Sequence, residues 1–196
     1  DGSKGSKALP FRYVAAARFA PSYAAEVSDA MLLALEGHEK LPGRTAIVID
    51  VSGSMEAELS GKSKMNRIDA ASALAIYLRE ITECRVFQFG ATCREISAHR
   101  GIGLVDAIHD NQVGHRTNIG GALAHVVKVF PSVERIFIIT DMQSADAMPH
   151  RTGFRGYYIN VAPYEPAMPT KGGQWTIISG FSERIIDWVR IEEAVL

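Results

Sequence analysis

Arg44-Thr45-Ala46-Ile47-Val48-Ile49-Asp50-Val51-Ser52-Gly53-Ser54-Met55 is the stretch that decides the fold. Its apolar run, Ala46 to Ile49, is rich in β-branched residues and unbroken by polar ones, the pattern of a strand buried on both faces in a parallel sheet. The character then changes to Asp50-Val51-Ser52-Gly53-Ser54. Strand alternation points the side chains of Asp50, Ser52 and Ser54 the same way, and Gly53 lets the backbone turn. One carboxylate and two hydroxyls make a hard, oxygen-only donor set. Such a set suits Mg²⁺ or Mn²⁺ far better than zinc or copper. Its place is also apt, because open α/β sheets bind ligands beyond the carboxyl ends of their strands.

A second strand of the same kind lies downstream. Ile136-Phe137-Ile138-Ile139-Thr140 is continuously apolar up to its last residue and stops at another acid, Asp141. Between the two, Thr117 opens a predicted helix whose apolar face comprises Ile119, Leu123, Val126, Val127 and Phe130, with Pro131 as its stop. A threonine at a helix start is ordinarily a cap.

The remaining elements fit around these strands. Leu9 to Tyr13 reads as an extended lead-in, and an N-terminal helix is predicted from Ser22, with Val27, Met31, Ala34 and Leu35 as its stripe and Gly37 as its stop. Leu41-Pro42-Gly43 reads as a turn into the central strand. Lys62 to Arg67 reads as a solvated basic loop ahead of a helix whose Ile68, Ala71, Ser72, Ala75 and Leu78 suit close packing on a sheet. Arg85–Gly90 is a strand, and Cys93–Ile96 pairs with it as an edge hairpin. Residues 101–116 receive no element, and His109 and His115 within them read as surface or loop histidines. Residues 154–161 and 174–178 are the last strands, and Phe181, Ile185, Trp188 and Val189 mark a closing helix. The predicted architecture is therefore α/β: a doubly wound, mostly parallel central sheet with one antiparallel edge strand and helices on both faces.

Whole-chain properties narrow the function. At 196 residues, with 47% hydrophobic and 22% charged residues, the chain has ordinary globular composition. A formal net charge of −1 gives no general attraction to nucleic acid or acidic membranes. Cys84 and Cys93 lack metal-type spacing and read as buried free thiols of a reducing compartment, so a cytoplasmic setting is expected. No run approaches the roughly 18 apolar residues of a membrane span. Residues 1–8, rich in Gly, Ser and Lys, read as a linker, and 9–196 as one domain with an extra N-terminal helix.

Asp50-x-Ser52-x-Ser54, with Thr117 and Asp141, resembles the metal-ion-dependent adhesion site of the von Willebrand factor A fold. Leu9–Tyr13, the 41–55 stretch, the Arg67-x-Asp69-Ala-Ala helix, Phe89-Gly-Ala-Thr92 and Ile138-Ile-Thr-Asp-Met-Gln143 further resemble the Ro (TROVE) ribonucleoproteins over roughly residues 9–192. In that family such a domain closes a ring of helical repeats that binds small noncoding RNAs. The family's usual Gly-Gly before the threonine is His115-Arg116 here. The resemblance implies a binding module rather than an enzyme. Ser52, Ser54 and Thr117 would coordinate Mg²⁺ or Mn²⁺ directly, with Asp50 and Asp141 at its waters or its edge. The implied partners are an acidic side chain at the metal, the repeat ring of the same protein, and noncoding RNA held by the full-length protein, with no membrane partner. Two alternatives compete: a Mg²⁺-dependent phosphotransfer enzyme on a similar sheet, and an adhesion domain. The first wants a second acid where Ser52 stands and a lysine at the phosphate; the second wants signs of secretion.

Overall fold

The computed structural model describes residues 10–59, 65–110, 112–143, 153–162, 175–180, 182 and 184–195. The strands are β1 (Leu41–Asp50), β2 (Thr82–Phe89), β3 (Cys93–Glu95), β4 (Arg135–Thr140), β5 (Arg155–Asn160) and β6 (Thr176–Ser179). They form one sheet in the order β3-β2-β1-β4-β5-β6. Every pairing is parallel except that of β3, which runs antiparallel to β2 along the edge. The two strands with double-sided apolarity are neighbours at the centre, Ile47 beside Phe137 and Ile49 beside Ile139.

Alternation along those strands divides the interior into two layers. Ile47, Ile49, Phe137, Ile139, Tyr157 and Ile159 face one core, packed under helices α1 (Pro10–Phe19), α2 (Ala24–Leu35), α3 (Arg67–Ile81), α4 (Gly101–His109) and α6 (Arg184–Val195). Ala46, Val48, Ile136, Ile138 and Tyr158 face the other, covered by α5 (Ile119–Val129). Helices on both faces of a mostly parallel sheet make this an α/β doubly wound fold. Ala70, Ala71, Ser72 and Ala75 bring α3 close to the sheet, as its run of small residues predicts.

Several local expectations need correction. Pro10–Tyr13 is not extended but begins α1, where proline fits the first turn because that N–H has no helical partner anyway; Leu9 lies outside the described residues. Two helices therefore precede the sheet, and α2 starts at Ala24, after a 3₁₀ turn over Pro21–Tyr23. Leu41-Pro42-Gly43 is not a separate turn. It opens β1 with an irregular register before Arg44, and Gly43 takes a φ of +98°. Residues 101–109 form α4, hidden in the sequence by two glycines among its first three residues. Helix α5 begins at Ile119, not Thr117, because Asn118 takes the capping role and accepts from Gly121 N–H at 2.9 Å. Val127 is exposed rather than part of its buried face. Cys84 and Cys93 are free but half-buried. No helix among the described residues is long and apolar enough to cross a membrane.

Asp69 fastens the N-terminal helices to this body. Its Oδ1 accepts from Arg18 Nε of α1 at 3.0 Å and lies 2.9 Å from His109 Nε2 of α4. Its Oδ2 closes a capping box with the Asn66 N–H. Burial opposes ionisation of this carboxyl, but the bonds from His109, Asn66 and Arg18 outweigh it and hold the group below the usual carboxylate range.

The end of β2 depends on one close approach. A Cβ on Gly90 would stand 1.8 Å from the carbonyl oxygen of Gly114. Gly90→Ala should therefore push apart β2 and the loop before α5, costing about 3 kcal/mol in urea denaturation. Gly103→Ala, which meets nothing within 4 Å inside α4, should be neutral or stabilising by about 0.5–1 kcal/mol.

Candidate metal centre

Three segments meet at the carboxyl ends of the central strands: the one after β1, the one before α5 and the one after β4. Asp50 is the last residue of β1 and is only 1% exposed. Its Oδ1 accepts from the Ser52 N–H at 2.8 Å, and its Oδ2 accepts from Thr140 Oγ1 at 2.6 Å. Ser52 remains extended and buried, and a 3₁₀ turn over Gly53–Glu56 then carries Ser54 back over it. The Ser52 and Ser54 hydroxyl oxygens lie 3.3 Å apart. Neighbouring ligands of a Mg²⁺ octahedron are separated by about 3 Å, so one small ion can be touched by both.

Asp141 follows β4 and is equally buried. Its Oδ1 accepts from Gln143 N–H at 3.2 Å. Its Oδ2 accepts from Arg67 Nη1 at 2.7 Å, and the same nitrogen donates to the Ser54 carbonyl at 3.0 Å. Met142, next in sequence, is buried with a φ of +56°.

Thr117 is half-buried on the neighbouring loop, whose backbone on either side of it bonds to the other segments. Gly53 N–H donates to His115 O at 3.1 Å, while Asn118 N–H donates to Gly90 O at 3.0 Å. Asp50, Ser52, Ser54 and Asp141 thus form one linked cluster, with Thr117 on the strip of chain that abuts it.

Electrostatics follow from burial. Loss of water pushes the Asp50 carboxyl up to about 6; hydrogen bonds from Thr140 and Ser52 pull against that, and the charge of Asp141 adds to it. A buried carboxylate with this history is short of positive charge. The donor chemistry fits a hard divalent ion: two buried carboxylates, plus hydroxyls at ligand spacing. No group of three or more His, Cys, Asp or Glu suited to a metal occurs among the described residues, so a site here depends on the hydroxyls.

Two participants were not foreseen. Thr140 is adjacent to Asp50 because β4 pairs with β1, a relation sequence alone does not supply. The basic run 62–67 predicts a solvated loop, yet the Arg67 side chain is only 11% exposed. The Asn66-x-x-Asp69 capping pattern could have located it, since it places Arg67 in the first turn of α3.

A von Willebrand factor type A domain model matches residues 45–143, just over half of the chain, and the chain belongs to that family. Among solved structures it is similar to the Ro (RSR) protein of Deinococcus radiodurans, at a TM-score of 0.67 and 15% identity. That match covers 90% of this chain and 42% of the Ro chain, so this sequence spans less than half of that protein. The conserved hypothetical protein BatB of Bacteroides thetaiotaomicron is similar at a TM-score of 0.50 and 14% identity, over 78% of this chain and 97% of that one. At these identities the likeness is one of fold. No curated protein matches the sequence.

The raised Asp50 carboxyl gives a pH signature. Without metal, the folded state keeps its proton up to about pH 6, whereas the unfolded chain releases it near the ordinary 3.8. The folded state binds the extra proton, so this group's contribution to stability falls as pH rises from about 4 to 6 and stays low above that. Asp50→Asn should therefore stabilise the metal-free domain at pH 7.5 by up to about 3 kcal/mol, and by little at pH 4. Urea denaturation in EDTA at the two pH values checks this.

Proposed function

We propose that this chain is a metal-dependent binding module, not an enzyme. Ser52, Ser54 and Thr117 would hold a Mg²⁺ or Mn²⁺ ion directly, while Asp50 and Asp141 would orient its waters. The observation that carries the reading is the pair of serine hydroxyls 3.3 Å apart, flanked by two carboxylates that are buried at the carboxyl end of the sheet. The metal would supply a Lewis-acidic position for a carboxylate on a protein partner. The chain's own residues position that ion and exclude water from its inner side.

A phosphotransfer enzyme is less well supported. Ser52, two residues beyond Asp50, offers a hydroxyl where a second acid would be needed, and its oxygen is turned toward Ser54. The Ro-like fold over 90% of the chain supports placing the module in a Ro-type, cytoplasmic RNA-binding protein, as its C-terminal domain beside a ring of helical repeats. Noncoding RNA would then be bound mainly by the rest of that protein.

Mg²⁺ or Mn²⁺ at millimolar concentration should raise the melting temperature of the domain, since ligand binding to the folded state alone stabilises it. Asp50→Ala should abolish the effect, and Thr117→Ala should weaken it. Calorimetric titration provides the direct measurement; absence of uptake by the wild type would remove the metal from the reading.

Residues 1–196 alone should hold structured RNA weakly and lose it steeply as salt rises, because a net charge of −1 neutralises few phosphates. Filter binding at 50 and 200 mM salt tests this; tight binding at the higher salt would contradict it.

A further inference from the structure

Arg67 lies outside the five-residue donor set, yet it supplies the positive charge closest to it. Its Nη1 bridges Asp141 Oδ2 and the Ser54 carbonyl, so it ties the segment after β4 to the one after β1 without any ion. Placement in the first turn of α3 fixes the side chain at its root, and Asn66 caps that helix through a reciprocal box with Asp69. Its small exposure leaves little water to screen the charge.

The charge count has a consequence. Asp50 and Asp141, when ionised, bring two negative charges, and Arg67 returns one. A divalent ion therefore converts a site of one net negative charge into one of one net positive charge. Without Arg67, the filled site would be neutral. We propose that Arg67 is a specificity-determining residue of this centre: its fixed positive charge weakens uptake of the divalent ion and gives the filled site a preference for an anionic carboxylate ligand. The inference rests on the metal-binding reading above and extends it to the sign of the partner group.

The rim agrees in sign. His115 and Arg116 are exposed on the loop that meets Gly53, in positions where small uncharged residues would leave the opening neutral. Glu56 opposes them, lying 3.6 Å from His115 Nδ1, but both members of that pair are open to solvent and screened. Among the described residues, Arg67 is the cation that remains where screening is weak.

The role separates from a merely structural one because charge and shape predict opposite signs. A guanidinium that only props Asp141 in place would help the metal, so its loss would weaken binding. A competing charge would hinder the metal, so its loss would strengthen binding. The test is calorimetric titration of Mn²⁺ into wild type, Arg67→Lys, Arg67→Met and Arg67→Gln. Thermal melts in EDTA identify which variants are folded, and the Gln variant serves if the Met variant is not.

The expected result is Mn²⁺ affinity about tenfold higher in the neutral variants, with the lysine variant near wild type. Acetate then serves as the carboxylate probe, through broadening of its methyl resonance by the bound paramagnetic Mn²⁺. Acetate should bind the filled wild-type and lysine proteins several-fold more tightly than the filled neutral variants. Unchanged or weaker Mn²⁺ binding in the neutral variants overturns the proposal while leaving the metal-binding reading intact. Equal acetate affinity in all filled proteins overturns it as well. Failure of every protein to take up Mn²⁺ removes the metal-binding reading, and the proposal falls with it.

Discussion

Asp50 is a carboxylate held out of water at the end of a strand that is buried on both faces, and the upper end of the molecule is arranged to tolerate it. The central strand ends there because its hydrogen-bonding partners do: Val51 N–H makes the last bond to Phe89 O, after which the chain turns. Thr140 and the Ser52 N–H satisfy one lone pair on each oxygen, but neither brings charge. Hydrogen bonds from neutral groups offset only part of the cost of a buried anion. Burial therefore leaves Asp50 with a cost that its neutral partners do not offset, and the charge of Asp141 adds to it.

The chain around Asp50 is held by its backbone. Gly53 bonds to His115, Asn118 to Gly90, and Thr92 to Val113, so the segments after β1 and β2 and before α5 are cross-linked by main-chain contacts. Gly90 has no room for a side chain because Gly114 passes against it. Side-chain geometry at the centre is therefore set by packed backbone rather than by free loops, which favours a preorganised donor set over one assembled by its ligand. Arg67 ties the segment after β4, which carries Asp141, to the one after β1.

The opposite end of the sheet meets a similar burden with cations of its own. Arg135 is buried at the start of β4 and pairs with Glu193 of α6, while donating to Thr45 Oγ1 and the Pro42 carbonyl at 3.0 Å each. Tyr157 donates to the same glutamate at 3.0 Å. Burial opposes ionisation of Glu193, yet the bonds from Arg135 and Tyr157 and the charge of Arg155 hold it below the usual carboxylate range. Glu193 has internal cations for its charge; among the described residues, Asp50 has none bonded to it. That contrast is the physical reason the two ends differ in chemistry, one an ion-pair network that locks the final helix and the other a buried acid held by neutral donors.

Periodicity alone determined the sheet's central pair, since Ala46–Ile49 and Ile136–Ile139 carry apolar side chains on both faces and only interior parallel strands require that. It also determined which acids and hydroxyls stand at strand ends, because Asp50, Ser52, Ser54 and Asp141 each interrupt or follow an apolar run at a fixed offset. Helix α4 is hidden because glycine masks a short amphipathic pattern, and the extended reading of Leu9–Tyr13 misses that a first helical turn accepts Pro10. The partners of the acids were not legible at all. Thr140 reaches Asp50 across 90 residues through strand pairing, and Arg67 reaches Asp141 across 74 through the packing of α3 on the sheet. Local spacing fixes which groups a segment offers, but only the tertiary structure decides which charge faces which, because that depends on neighbours far apart in the chain.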